Sequence, residues 1–291
     1  MIWRPDEIIE IVSEYFIDYF GKENKSLIED RLKRTDLFFV TPSTADKYAK
    51  QCIINNYWFV GHRKNEAFNQ YEKDVIEVVK KVADPDHEWA GQCMLMTCKD
   101  NKGEIYDLLR GVFVLDYNDY RLMIDSNLSL PSYSDTCIIH ELLHAISQYV
   151  KNNEMYNGFE GVNDTDANTG FNELFVENMA IDISKKLHLD GITFNESVSL
   201  KNKHYYSSAY LKKLNFKIDD FINSKKEYLK QAFLTGAYDK GLYEGATPVL
   251  FSLKPDDMPK QSQFIALIEQ REKAEKEQLL MELSKCWKEQ E

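Results

Sequence analysis

The sequence PSYSDTCIIHELLHAISQYV, residues 131–150, is predicted to form one helix. Ser132 stands three residues before Asp135, which is the spacing of a capping box, where a hydroxyl and a carboxylate accept hydrogen bonds from the first free amide groups of a helix. The apolar residues that follow recur at helical spacing. We therefore expect a helix over residues 134–150.

This helix carries two of the six histidines of the chain, in the pattern His-Glu-x-x-His. His140 and His144 are one turn apart on one face, so their imidazoles are able to bind one ion. Neutral imidazoles suit Zn²⁺, which lowers the pKa of a bound water to about 7, and Glu141 stands beside the histidines as a general base for that water. The alternative is a chance match on a buried helix, which is expected in about one chain in a hundred.

A catalytic zinc site needs a third protein ligand, and a second predicted helix, over residues 171–188, offers one. Its sequence FNELFVENMA contains Glu173, which follows His144 with 28 residues between them, and Glu177 one turn later. A carboxylate one turn after a ligand is suited to accept the outer ring N–H of a ligating histidine. Asn172 is expected to cap or brace the same turn.

These two segments together resemble the gluzincin metallopeptidases, the thermolysin-like clan, which pair a His-Glu-x-x-His helix with a later Asn-Glu-x-x-x-Asp/Glu helix. The resemblance implies that His140, His144 and Glu173 bind Zn²⁺, that Glu141 is the catalytic carboxylate and that Glu177 is a hydrogen-bond partner of a ligand. It covers about 55 residues of the chain. It also implies a zincin-like fold of two lobes, with a peptide substrate in the cleft between them.

Gluzincins also use a tyrosine or histidine to stabilise the oxyanion of the tetrahedral intermediate, and spacing alone does not identify this residue in the chain. The sequence NKHYYSSAY, residues 202–210, follows the ligand helix and supplies His204, Tyr205 and Tyr206 as the favoured candidates. Tyr156 is not at the offset of thermolysin-like enzymes. The alternative for the 202–210 cluster is ordinary aromatic packing against a helix.

The segment VENMA, residues 176–180, also resembles the small peptidases that cleave phage-type repressors. In that alignment the third ligand is Glu177 instead of Glu173. We favour Glu173 because FNE begins the helix as it does in gluzincins.

The rest of the chain is predicted to be α+β, with a sheet-bearing first half and an all-helical second half. Helices are expected near residues 5–20 and 65–82, and strands at DLFFVTP, YWFVG, CMLMTC and EIYDLLRGVFVLDY. DYRLMI, residues 119–124, is expected to pair back as a hairpin. Beyond Pro131 we expect only helices, at 134–150, 171–188, 218–234 and 258–289. The lobes are assigned to residues 1–150, which include a small mixed sheet and the active-site helix, and to residues 151–291.

Two other segments bear on the function. The polar stretch at 151–170 is predicted to be a loop, and DTDANTG within it matches a calcium loop too poorly to be assigned as one. GVFVLDYNDYRLMI, residues 111–124, is a candidate for the strand edge to which a peptide substrate adds, and the favoured alternative is an ordinary part of the sheet.

The composition and net charge of the chain argue against some classes of binding partner. The 291-residue chain has a formal net charge of -12, which argues against nucleic acid and against an anionic membrane surface. No apolar run is long enough for a membrane helix, and the first ten residues do not resemble a secretory signal. The five cysteines lack the Cys-x-x-Cys spacing that is typical of redox and zinc-binding motifs. We expect a cytoplasmic zinc peptidase acting on a peptide or protein; the alternatives are a catalytically idle zinc- or protein-binding module and a helical protein without metal.

Overall fold

The computed structural model describes residues 3–59, 66–84, 91–100, 102–116, 135–151, 153–158, 160–161, 166–194 and 226–235. The described part is mixed α+β, as predicted. Its helices are α1 (Pro5–Phe20), a 3₁₀ turn (Lys22–Asn24), α2 (Lys25–Lys33), α3 (Ala45–Phe59), α4 (Glu66–Ala83), α5 (Asp135–Ser147), α6 (Asp166–Leu189) and α7 (Lys226–Thr235). Its strands are β1 (Thr35–Val40), β2 (Gly91–Lys99), β3 (Ile105–Leu115), β4 (Gln148–Lys151), β5 (Glu154–Asn157) and β6 (Glu160–Gly161).

Helix α1 forms where the sequence predicted it, because its apolar residues share one face. Ile8, Val12, Phe16 and Phe20 recur every four residues and are all buried. The helix ends at Gly21, which has a φ of 98° and donates its N–H to the carbonyl of Ile17. A residue with a side chain rarely adopts this φ, so glycine favours termination here.

The first sheet has the strand order β1-β3-β2, with β1 parallel and β2 antiparallel to β3. Three of the predicted strands, DLFFVTP, CMLMTC and EIYDLLRGVFVLDY, correspond to β1, β2 and β3. Strand β3 is buried on both faces from residue 108 to residue 115, which explains its continuous apolar sequence. Among the described residues β3 is the central strand and β1 and β2 are the edges, so the described part of the 111–124 segment is ordinary sheet and not a substrate edge.

The two faces of this sheet contact different helices. Phe38 and Phe113 stack at 5.2 Å and belong to one apolar cluster with residues of α3 and α4. Side chains alternate along a strand, so Arg110 points away from that cluster, and it bonds to the carbonyl of Gln148 just after α5. The sheet therefore lies between α3 and α4 on one face and α5 on the other.

One predicted strand is helical. YWFVG was assigned as a strand from its aromatic and β-branched residues, but residues 57–59 are the last turn of α3. The helix begins after a polar turn in which Thr41 accepts the N–H of Ala45, and it buries Ala49 and Cys52 in the α3–α4 cluster. Packing of this helical face overrides the local strand preference of a short aromatic run.

The prediction of an all-helical second half was also wrong. In the segment assigned partly to the end of a helix and partly to a loop, strands β4, β5 and β6 form a second sheet of order β4-β5-β6. Asn153 before β5 and Gly158 between β5 and β6 have φ values of 61° and 60°. Hairpin turns often need such left-handed residues, and asparagine and glycine provide them. Helix α6 likewise begins at Asp166, inside the predicted loop.

The chain divides into two compact units. The first consists of Met1–Gln148 and Met179–Asn202, and the second of Tyr149–Asn178 and Lys203–Glu291. The predicted segments at 119–124, 218–225 and 258–289 lie outside the described residues. Among the described helices, none combines the length and apolar character needed to cross a membrane.

Gly158→Ala is expected to lower the free energy of unfolding by about 2–4 kcal/mol. The added methyl group would overlap Asn172 Oδ1 and lie 2.7 Å from Phe233 Cε2, and the positive φ adds strain. Gly103→Ala is the matched control, because Gly103 has a φ of 84° and nothing within 4 Å of its missing Cβ. Denaturant unfolding of both variants tests this, and equal losses would show that the contact with Asn172 is unimportant.

Candidate metal centre

Helix α5 is an almost completely buried helix that carries several polar groups. Its apolar residues Ile138, Ile139, Leu142, Leu143, Ala145 and Ile146 are all at most 3% exposed. A helix that is apolar nearly all round belongs in a core, which accounts for its position against the sheet. Burying polar side chains on such a helix costs free energy unless they have partners, so the surroundings of Glu141 and His144 are informative.

The two histidines of α5 face each other closely. The Nε2 atoms of His140 and His144 are 3.1 Å apart, and the ring planes meet at 63° with centroids 4.9 Å apart. His144 is 6% exposed, whereas His140 is half-buried. Helical spacing of four residues brings the rings together, as predicted from the sequence.

Glu173 of α6 completes the group. One ligand atom from each of His140, His144 and Glu173 lies within 4.8 Å of the other two. Ligands of a tetrahedral zinc ion, at bond lengths of about 2.0–2.1 Å, lie roughly 3.4 Å from one another. The donor set of two imidazoles and one carboxylate is one that zinc sites use, and the 4.8 Å bound on the spacing is compatible with a single ion.

Glu177, the alternative ligand, is not part of this group among the described residues. It is half-buried and stands one helical turn beyond Glu173. Its role as a hydrogen-bond partner of a ligating histidine stays a prediction.

Glu141 lies in the core beside the histidines. The residue is 7% exposed, and its side chain packs against Gly91, the first residue of β2. A Cβ on Gly91 would be 2.8 Å from Glu141 Cγ and 2.9 Å from Cys137 Sγ. Gly91 was not recognised from the sequence, because nothing local distinguishes it from any other glycine at a strand end.

The N-terminal end of α5 is held by a buried carboxylate. Asp135 is 1% exposed, accepts the backbone N–H of Phe194 at 3.2 Å and lies 2.7 Å from Nε2 of His188. His188 is therefore a histidine with a structural partner, and it has no other histidine at ligand spacing in the sequence. His62 and His87 lie outside the described residues, as does Ser132, the expected partner of Asp135 in a capping box.

Two buried arginines hold the other end of α5. Arg31 of α2 donates to the carbonyl of Ile146, and Arg110 of β3 donates to that of Gln148 at 3.0 Å. Cations are favourable at the C-terminal end of a helix, where backbone carbonyls lack helical partners. One signal of this contact is present in the sequence, the lone Arg110 inside the apolar run LLRGVFVL, because a buried charge must find partners.

The pKa of the Cys93 thiol depends on its burial and on the charges of Glu141 and Arg110. Burial, and to a smaller extent the negative charge of Glu141, raise the pKa of its thiol to about 12, although the positive charge of Arg110 lowers it. Gln148 Nε2 donates to Cys93 Sγ at 3.4 Å. The carboxylate of Glu141 and the guanidinium of Arg110 thus act on the same thiol, which stays protonated near neutral pH.

The predicted oxyanion residues His204, Tyr205 and Tyr206 lie outside the described residues. Tyr156 is described, on β5, and stacks on Tyr149 with ring centroids 5.2 Å apart and nearly parallel planes. Its ring is therefore engaged in packing within the second unit.

Comparisons with protein-family models, with curated proteins and with solved structures gave no match to this chain.

Proposed function

We propose that the chain is a zinc metallopeptidase with a zincin-like fold, similar to the gluzincins. The observation that carries the proposal is the convergence of His140, His144 and Glu173 within 4.8 Å. Two elements supply these groups, so the match extends beyond the five-residue motif. The mixed sheet against which the motif helix packs is compatible with a zincin-like fold.

His140, His144 and Glu173 would hold the ion. A bound zinc ion supplies a Lewis acid for the scissile carbonyl and lowers the pKa of water to about 7. The three residues leave a fourth tetrahedral position without a ligand from this set, as a catalytic site requires. The geometry favours the Glu173 register over the Glu177 register of the repressor-cleaving peptidases.

Glu141 is the proposed general base. It follows His140 directly on α5, and its carboxylate is not one of the converging ligand atoms. It takes a proton from the attacking water and later donates that proton to the leaving amine. His204, Tyr205 or Tyr206 is proposed to stabilise the oxyanion.

The proposed substrate is a peptide or protein segment in extended form. Strand β2 is an edge of its sheet among the described residues, and its first residue touches Glu141. A peptide that pairs with this edge through backbone hydrogen bonds runs about 4.8 Å from β2 and passes the base. The net charge of -12 disfavours nucleic acid as a partner.

A cytoplasmic location is part of the proposal. Four cysteines lie in the described part of the chain, Cys52, Cys93, Cys98 and Cys137, and none of them is joined in a disulfide there. Structural disulfides are typical of oxidising compartments, and free thiols suit a reducing one.

The test combines metal analysis with cleavage of a proteome-derived peptide mixture. Purified protein is expected to contain about one equivalent of zinc and to generate new peptide termini that disappear with a chelator and return with added zinc. His144→Ala is expected to lose both metal and cleavage. Zinc binding without cleavage would favour the idle zinc-binding module, and absence of zinc binding would reject the proposal.

A further inference from the structure

Gly91 leaves the space that the side chain of Glu141 occupies. A Cβ at this position would lie 2.8 Å from Glu141 Cγ, 2.9 Å from Cys137 Sγ and 3.0 Å from Glu141 Oε1. Real Cβ atoms essentially never approach other atoms closer than 3.0 Å, so a side chain at residue 91 would force a neighbour to move.

The backbone does not require glycine here. Gly91 is not among the described glycines with positive φ, and it pairs with Val114 in the regular β2–β3 ladder. Glycine inside a strand weakens the strand and often marks a close approach of another group. The close approach at Gly91 is that of Glu141 and Cys137.

Glu141 is the neighbour that a methyl group at residue 91 would displace. The ends of α5 are held by Asp135 and by the arginine bonds to Ile146 and Gln148. Strand β2 is held by its pairing with β3. With both backbones fixed, a methyl group at residue 91 displaces side chains, and two of its three closest contacts are atoms of Glu141.

We infer that Gly91 is a positioning residue for the general base: its missing side chain fixes where the Glu141 carboxylate lies. The inference rests on the proposed function, because it concerns the base of that reaction. Misplacing a catalytic group by 1 Å can lower the rate about 10²-fold. Gly91→Ala should therefore lower kcat by about this factor. It should not disturb the proposed ligands, because none of the three atoms nearest to the new methyl group belongs to them.

Gly111→Ala is the matched control. Gly111 lies on β3, and its added Cβ would be 2.8 Å from Cys52 Sγ, so it introduces a similar overlap on the opposite face of the sheet. Both variants should lose thermal stability, but only Gly91→Ala should lose kcat with KM little changed. Zinc content and the absorption spectrum of the cobalt-substituted protein should match wild type in both variants, because the ligands stay in place.

A double-mutant cycle with Glu141→Gln separates positioning from general damage. If Gly91 acts through Glu141, adding Gly91→Ala to Glu141→Gln should not slow the residual reaction further. A crystal structure of Gly91→Ala should show the carboxylate displaced. If Gly91→Ala alone does not fold, the double variant Gly91→Ala/Cys137→Ala is compared with Cys137→Ala. The Cys137→Ala substitution removes the overlap with the sulfur, while the overlap of the new methyl group with Glu141 Cγ remains.

The outcomes are distinct. If the wild-type protein shows zinc-dependent cleavage, three results would overturn the inference alone. The first is an unchanged kcat in Gly91→Ala, and the second is that Gly91→Ala slows the Glu141→Gln variant as much as it slows wild type. The third is a crystal structure of Gly91→Ala in which the Glu141 carboxylate is not displaced. A zinc-loaded wild type without cleavage would overturn the proposed function and the positioning role with it.

Discussion

Glu141→Gln is expected to keep its zinc and to lose about 10²- to 10⁴-fold in kcat, the usual contribution of a general base. Glutamine has nearly the same shape as glutamate, so packing against Gly91 is preserved. It has no carboxylate to accept a proton from water. The measurement is turnover of a peptide identified in the cleavage assay, together with zinc content.

Glu141→Asp is the matched control for this prediction. It retains a carboxylate but withdraws it by one methylene, so activity should fall between that of wild type and that of Glu141→Gln. A Glu141→Gln variant as active as wild type would show that Glu141 is not the base. Loss of zinc from Glu141→Gln would instead indicate that this carboxylate supports the metal centre itself.

The elements and residues predicted correctly from the sequence are those with a local signal. Ile8, Val12 and Phe16 repeat at helical spacing, so α1 was predicted closely. One turn of helix brings His140 and His144 together, so no tertiary contact is needed for their proximity. Glu173 required a resemblance as well, because spacing alone does not determine where a second helix packs.

The parts that were missed depend on contacts between distant residues or on turn chemistry. Arg31 bonds to Ile146 across 115 residues, and Gly91 meets Glu141 through the packing of α5 on β2. The sheet β4-β5-β6 was not predicted because its segments have a polar composition, although Asn153 and Gly158 are typical of left-handed turn positions. Sequence periodicity reports which face of an element is buried, and it does not report what that face contacts.

Replacing Glu173 and Glu177 separately by alanine should affect zinc affinity unequally. Glu173→Ala removes one of the three converging groups and is expected to abolish most of the affinity. Glu177→Ala removes only a predicted hydrogen-bond partner of a ligand, and such changes typically cost about 10- to 100-fold. Alanine favours helix, so α6 should persist in both variants. Competition with a chelator of known zinc affinity measures the difference.

The order of the two effects distinguishes the two metallopeptidase resemblances. In the gluzincin-like register Glu173 is the ligand, whereas in the register of the repressor-cleaving peptidases Glu177 is. Asp182→Ala, on the same helix and exposed, is a control that should leave zinc affinity unchanged. A larger loss in Glu177→Ala than in Glu173→Ala would require α6 to present its next turn to His140 and His144, and would transfer the ligand assignment to the repressor-peptidase alignment.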